Sequence, residues 1–184
     1  MKYVALFRGI NVGGKNIVKM ADLRQLFLDL GLNKVNTYIQ SGNAVFETSL
    51  SEADLLEKIK TGFSGRFGFE SNVLIRTIEE IRDLIEQFPI PPEKIAEAEA
   101  ADPQVEHLYI YFLETPPETA RFNTLSNENT SADMLFTGKR ELYFLCCQSI
   151  RNSKLAAGIS KIAGSATARN WKTVGKLYDM MNEL

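Results

Sequence analysis

The sequence predicts an α+β protein built as two tandem ferredoxin-like repeats of the βαββαβ type, each with an added C-terminal helix and an antiparallel sheet. Three observations carry this expectation. The segments KYVALF (2–7) and HLYIYFL (107–113) each open one half of the chain as a short apolar strand. Each half then carries a hairpin centred on a glycine. Finally, the stretches 73–88 and 166–181 align without a gap and share one apolar face.

In the first strand, Tyr3, Ala5 and Phe7 alternate with Val4 and Leu6. Both faces are apolar, so a strand covered on both sides is expected. A glycine-rich loop runs from Arg8 to Lys19, and Met20, Leu23, Leu26, Phe27 and Leu30 then mark the stripe of a first helix. VNTYIQ-SG-NAVFE (35–47) places Ser41-Gly42 between two apolar runs, a hairpin signature. The segment 51–67 opens on Ser51, a natural N-cap, and carries Leu55, Leu56, Ile59 and Phe63 on one stripe. Residues 89–106, PIPPEKIAEAEAADPQVE, read as a connector holding one or two helical turns.

The second half repeats the order. After the strand at 107–113 come a helical stretch and a hairpin, DMLF-TGKR-ELYFLCC (133–147), turning at Thr137-Gly138. A helix over 152–163 carries Leu155, Ile159 and Ile162. In the closing stretches Arg76 aligns with Arg169. Ile78, Ile81, Leu84, Ile85 and Phe88 fall over Trp171, Val174, Leu177, Tyr178 and Met181, the spacing of one helix face. The organisation read from this is a first repeat at 1–88, a connector at 89–106 and a second repeat at 107–184.

Bulk properties narrow the function classes. A net charge of −2 and a pI near 5.6 argue against an obligate nucleic-acid coat protein, although a local basic patch is compatible with both values. The N-terminus carries too short an apolar run for a signal peptide, and no run approaches a membrane span. Cys146 and Cys147 are adjacent and point to opposite faces of a strand, so they cannot staple distant segments. Reduced thiols, a cytoplasmic location and no membrane association are the expectation. His107 is the only histidine. With two neighbouring cysteines it supplies neither a zinc set nor a catalytic triad, and a structural role is expected for it. No cofactor or metal is anticipated.

The stretch FRGINVGGKN (7–16) stands close to a phosphate-binding P-loop, with Gly9, four intervening residues and then Gly14-Lys15. It departs at Asn16, where a Ser or Thr is required, and its helix begins several residues after Lys15. A P-loop also needs a parallel sheet, whereas hairpins dominate here. The loop is better read as an anion site of another kind, or as a tight connection. In the first reading, backbone amides of Gly9, Gly13 and Gly14 act with the cations Arg8, Lys15 and Lys19, while Asn11 and Asn16 donate and accept beside them. Gln40 and Asn43 flank the hairpin turn, which is either structural or part of the same site. A second anion locus is expected at the strand-to-helix junction 167–172, where Asn170 is a natural N-cap flanked by Arg169 and Lys172. Trp171 lies on the apolar helix stripe and reads as core rather than a stacking platform.

Three stretches together, LFRGINVGGKN (6–16), TYIQSGNAVF (37–46) and TARNWKTVGKL (167–177), resemble the bacterial family catalogued as domain of unknown function 1697. The resemblance runs along essentially the whole chain. It implies an α+β arrangement with a duplicated unit, and it carries over no catalytic residues.

The functional expectation is a small-anion or phosphate-bearing (nucleotide-like) metabolite-binding protein, with its ligand held between the lobes. Arg8, Gly9, Asn11, Gly13, Gly14, Lys15, Gln40, Asn43, Arg169, Asn170 and Lys172 are the ligand-binding candidates. Besides a protein–protein adaptor, which leaves no clear sequence mark, two alternatives remain open. One is a single-stranded nucleic-acid (RNA) binding module, since ferredoxin-like sheets can present aromatics to bases. The other is an enzyme with a polar site lacking histidine.

Overall fold

Val4 and its neighbours pair as the alternating pattern requires. β1 (Lys2–Phe7) lies at the interior of a four-stranded antiparallel sheet in the order β2-β3-β1-β4, with β2 at Asn33–Tyr38, β3 at Asn43–Glu47 and β4 at Val73–Thr77. The second half repeats this order as β6-β7-β5-β8, where β5 is Leu108–Phe112, β6 Met134–Thr137, β7 Glu141–Leu145 and β8 Thr167–Asn170. This is the ferredoxin-like order twice over. The protein, seen in a computed structural model, is described at residues 1–127, 129 and 131–184. The polar, turn-rich stretch SNENTSADM (126–134) reads as a surface loop in the sequence, and its Glu128 and Thr130 lie outside the described residues.

The helices are α1 (Met20–Asp29), α2 (Glu52–Phe67), α3 (Ile78–Glu86), α4 (Pro92–Ala101), α5 (Thr119–Asn127), α6 (Lys154–Ile162) and α7 (Trp171–Asn182). The connector forms the ten-residue α4, longer than the one or two turns its prolines suggest. Pro91 and Pro92 sit at the N-cap and first turn, where a missing N–H costs nothing, and the alanines beyond them favour helix.

The chain divides into two units, the first Met1–Asp83 with Gly175–Leu184 and the second Leu84–Val174. In the first unit, Tyr3, Ala5 and Phe7 pack with Ala44, Phe46, Val73 and Ile75 beneath α1 and α2. The Phe63 ring stands 4.9 Å from Phe7, 4.7 Å from Phe67 and 5.3 Å from Phe69. Val4, Leu6, Val45 and Leu74, on the opposite sheet face, are buried as well. Ser51 caps α2 by accepting the Asp54 N–H at 3.2 Å, and Gly68 ends it in the left-handed conformation. The end of α7 belongs to this unit, where Lys2 Nζ donates to Asn182 O at 3.0 Å.

In the second unit Tyr111, Leu142 and Phe144 pack with Leu155 and Ile159 of α6 and Phe122 of α5. α6 is capped by Ser153, whose hydroxyl accepts the Ala156 N–H at 3.0 Å and donates to Asp133 at 2.6 Å. Trp171 is half-buried, its ring 4.4 Å from Phe88. His107 is buried between two carbonyl oxygens, Cys146 O 2.6 Å from Nδ1 and Asp102 O 2.8 Å from Nε2. It ties the end of α4 to the residue that follows β7. No helix among the described residues is long and apolar enough to cross a membrane.

The core of this unit makes a pH prediction. Burial pushes the Cys146 thiol up to about 12, with the nearby Asp133 carboxylate adding to the shift. Burial also lifts the Tyr111 phenol to about 12 and raises Tyr143 further. These groups bind a proton more tightly when folded, so their contribution is complete below pH 9 and is lost as pH climbs toward 12. Arg169 acts in the opposite sense, because burial lowers it to about 10 and unfolding regains the proton above that pH. Between pH 9 and 10 the thiol dominates. Urea unfolding should show stability falling by about 1 kcal/mol over that interval. Cys146→Ala should flatten the decline, and an unchanged slope in the variant would contradict this assignment.

Candidate functional site

The order of strands decides which segments meet at the C-terminal end of β1. Phe7 pairs with Val73 and Leu6 with Asn43. The loop after β1, the β2–β3 turn and the segment leading into β4 therefore lie side by side.

The loop is a braced tongue. Val12 and Lys15 form a bridge in which the Lys15 N–H donates to Val12 O at 3.0 Å. Gly13 and Gly14, at φ +59° and +74°, form the turn between them. Positive φ at both central positions is what a type I′ turn, the kind that closes a tight hairpin, requires. Asn11 anchors the tongue at its base. Its amide nitrogen donates to Val18 O and Gln40 O, each at 2.9 Å, and its side-chain oxygen accepts the Val18 N–H at 2.8 Å. Asn11 itself sits at φ +55°, a conformation asparagine tolerates better than most residues. Asn16 donates from its side chain to Gly9 O at 3.0 Å.

The turn beneath the tongue is equally fixed. Asn43 is fully buried and donates to Tyr38 O and Ser41 Oγ, each at 3.0 Å. Gln40 is exposed and contributes its carbonyl to Asn11. On the other flank, the Arg8 N–H donates to Asn72 O at 2.9 Å, and Ser71 Oγ donates to Arg8 O at 2.8 Å.

Every charged side chain within residues 8–19 is a cation. Arg8, Lys15 and Lys19 are exposed, and among the described residues none of them forms an ion pair. Val12 and Ile17, on the same tongue, are 64% and 63% exposed, so an occupant would meet apolar as well as cationic surface.

The residues expected to bind ligand thus fall into two groups. Arg8, Gly9, Asn11, Gly13, Gly14, Lys15, Gln40 and Asn43 converge at one sheet end of the first unit. Arg169, Asn170 and Lys172 lie in the second unit at the β8–α7 junction. There Asn170 Oδ1 accepts the Thr173 N–H at 2.8 Å and caps α7. Arg169 is buried, with Nη1 donating to Thr167 Oγ1 at 3.1 Å and to Ala168 O at 2.8 Å. Lys172 is engaged with Glu106 at 2.7 Å. Arg169 opposes Ile110 in its sheet as Arg76 opposes Val4 in the other, the register that their alignment in sequence requires.

Ser71 and Asn72 escape a reading by motif, because each is a common loop residue some sixty positions from Arg8. The signal that reveals them is topological. In a ferredoxin-like sheet β1 and β4 are antiparallel neighbours, so the residue before β4 sits beside the residue after β1. Among the described residues no three His, Cys, Asp or Glu side chains converge as metal ligands.

Residues 1–143 match the family described as protein of unknown function (DUF1697), and the chain belongs to that family. Among solved structures it is similar to a conserved bacterial protein, SP0830, from Streptococcus pneumoniae. That likeness has 28% sequence identity and a TM-score of 0.70, and it covers 98% of each chain. A comparison with proteins of curated function finds no match.

Proposed function

We propose that this member of the DUF1697 family binds a small phosphate-bearing metabolite at the loop end of its first unit. The observation that carries the reading is the set of three exposed cations, Arg8, Lys15 and Lys19, without an ion-pair partner among the described residues, on a loop held by Asn11. Surface cations not engaged in an ion pair are free to neutralise a ligand. A braced loop also loses less entropy on binding than a mobile one. Guanidinium and ammonium groups give charge-assisted hydrogen bonds to phosphate oxygens, shorter and stronger than neutral ones. The role of the glycines is then geometric, in shaping the turn that presents Lys15.

A sheet-face mode of RNA binding has less support. Tyr3, Phe7, Phe46 and Phe144 are buried, and a base-stacking platform needs exposed rings.

Calorimetric titration with inorganic phosphate, pyrophosphate, nucleotides and short RNA tests the reading. Saturable binding of a phosphate compound is expected. Lys15→Ala and Arg8→Ala should each weaken it roughly tenfold, since a hydrogen bond to a charged group contributes about 1.5–3 kcal/mol. Binding confined to the oligonucleotide, falling steeply with added salt, would replace a metabolite with nucleic acid as the ligand.

A further inference from the structure

We infer that the ligand of the loop site carries a sugar as well as a phosphate, with the sugar seated in a polar groove beside Arg8. This inference rests on the phosphate-binding reading above and extends it. The groove has a volume of ≈ 710 Å³ and is lined by Lys60, Thr61 and Ser64 of α2 and by Glu70, Ser71 and Asn72 of the segment leading into β4.

Two features connect the groove to the cationic loop. The first is hydrogen-bonded continuity. Ser71 and Asn72, which form one wall, bond directly to the backbone of Arg8 through Ser71 Oγ to Arg8 O and Arg8 N to Asn72 O. The second is fixed spacing, because β4 starts at Val73 and pairs there with Phe7. The groove wall and the start of the loop are therefore held by the same sheet register.

The lining chemistry selects a polyol. Three hydroxyls, one amide, one ammonium and one carboxylate line the space, and among the described residues no aromatic or aliphatic residue lines it. An apolar ligand would strip water from these groups without returning their hydrogen bonds. A bare phosphate would find one cation, Lys60, and a repelling carboxylate, Glu70. A sugar matches the set, since each of its hydroxyls donates one hydrogen bond and accepts others, as Thr61, Ser64 and Ser71 do. Among the described residues, the Thr61 and Ser64 hydroxyls have no hydrogen-bond partner, so both are available to such a ligand.

The test is a calorimetric comparison of inorganic phosphate, ribose and ribose 5-phosphate on the full chain. It uses the wild type, the double variant Thr61→Val/Ser64→Ala and Lys60→Ala, each checked for folding by circular dichroism. These side chains are on the outward part of α2, so the variants are expected to fold. Ribose 5-phosphate should bind at least tenfold more tightly than inorganic phosphate. That advantage should fall to about twofold or less in the double variant, while its affinity for inorganic phosphate stays unchanged. Phosphate binding with no gain from the sugar, or a gain that survives the double variant, would overturn the inference and leave the loop site standing. Failure of every phosphate compound to bind would remove both.

Discussion

Gly42→Ala is expected to destabilise the first unit by about 3 kcal/mol, from two sources that can be separated. Gly42 has φ +78°, and a side chain there costs about 1–2 kcal/mol through its clash with the backbone. A methyl group would also stand 2.5 Å from Ile10 Cδ1 and 2.8 Å from Phe7 Cβ. Phe7 is core and Ile10 is buried, so neither has room to give, and overpacking adds about 1–3 kcal/mol. Gly14→Ala supplies the control. Gly14 has nearly the same φ, +74°, but nothing lies within 4 Å of an added methyl. Its cost should be only the backbone share. In a urea titration Gly42→Ala should lose at least about 1 kcal/mol more than Gly14→Ala. Equal losses would show that the turn does not pack on Ile10 as described.

Phe63→Ala should cost more still, about 3–5 kcal/mol. The ring is the hub of an aromatic cluster, within 4.7–5.3 Å of Phe7, Phe67 and Phe69, and only 1% of it is exposed. Truncation removes the transfer energy of the ring and leaves a cavity whose walls are fixed by the sheet on one side and by Phe67 and Phe69 on the other. Phe63→Leu, which refills most of the volume, should recover more than half of the loss. A loss below about 1.5 kcal/mol for Phe63→Ala would mean that the cluster collapses around the gap instead of holding its shape.

Much of the fold is legible in the sequence because its signals are local and repeated. The double-sided apolar pattern of 2–7, the Ser51 cap and the glycine hairpins each follow from a few neighbouring residues. The gapless match of 73–88 with 166–181 then couples the halves. The paired registers of Arg76 with Val4 and of Arg169 with Ile110 are its structural counterpart. The connector helix was harder to read, because two prolines obscure an alanine-rich stretch that favours helix once they are placed in its first turn.

The candidate site is legible only in part. Arg8, the glycines and Lys15 stand out because they are contiguous. Their glycines suggest an amide nest, yet Gly13 and Gly14 take successive positive φ values and close a hairpin. Asn11 looks like one of several polar loop residues, and only the geometry shows that it joins the tongue to Gln40 and Val18. Ser71 and Asn72 reach the same end of the unit through the pairing of β1 with β4, and Lys60, Thr61 and Ser64 of α2 share a groove with them; no local pattern encodes either.

The measurement that bears most directly on the loop site is an amide NMR titration of the ¹⁵N-labelled chain with pyrophosphate. Saturable shifts concentrated in residues 8–19 and at Gln40, and abolished by Lys15→Ala, are the predicted result. Shifts clustered instead at residues 167–172, with the tongue unmoved, would place anion recognition in the second unit and contradict the account.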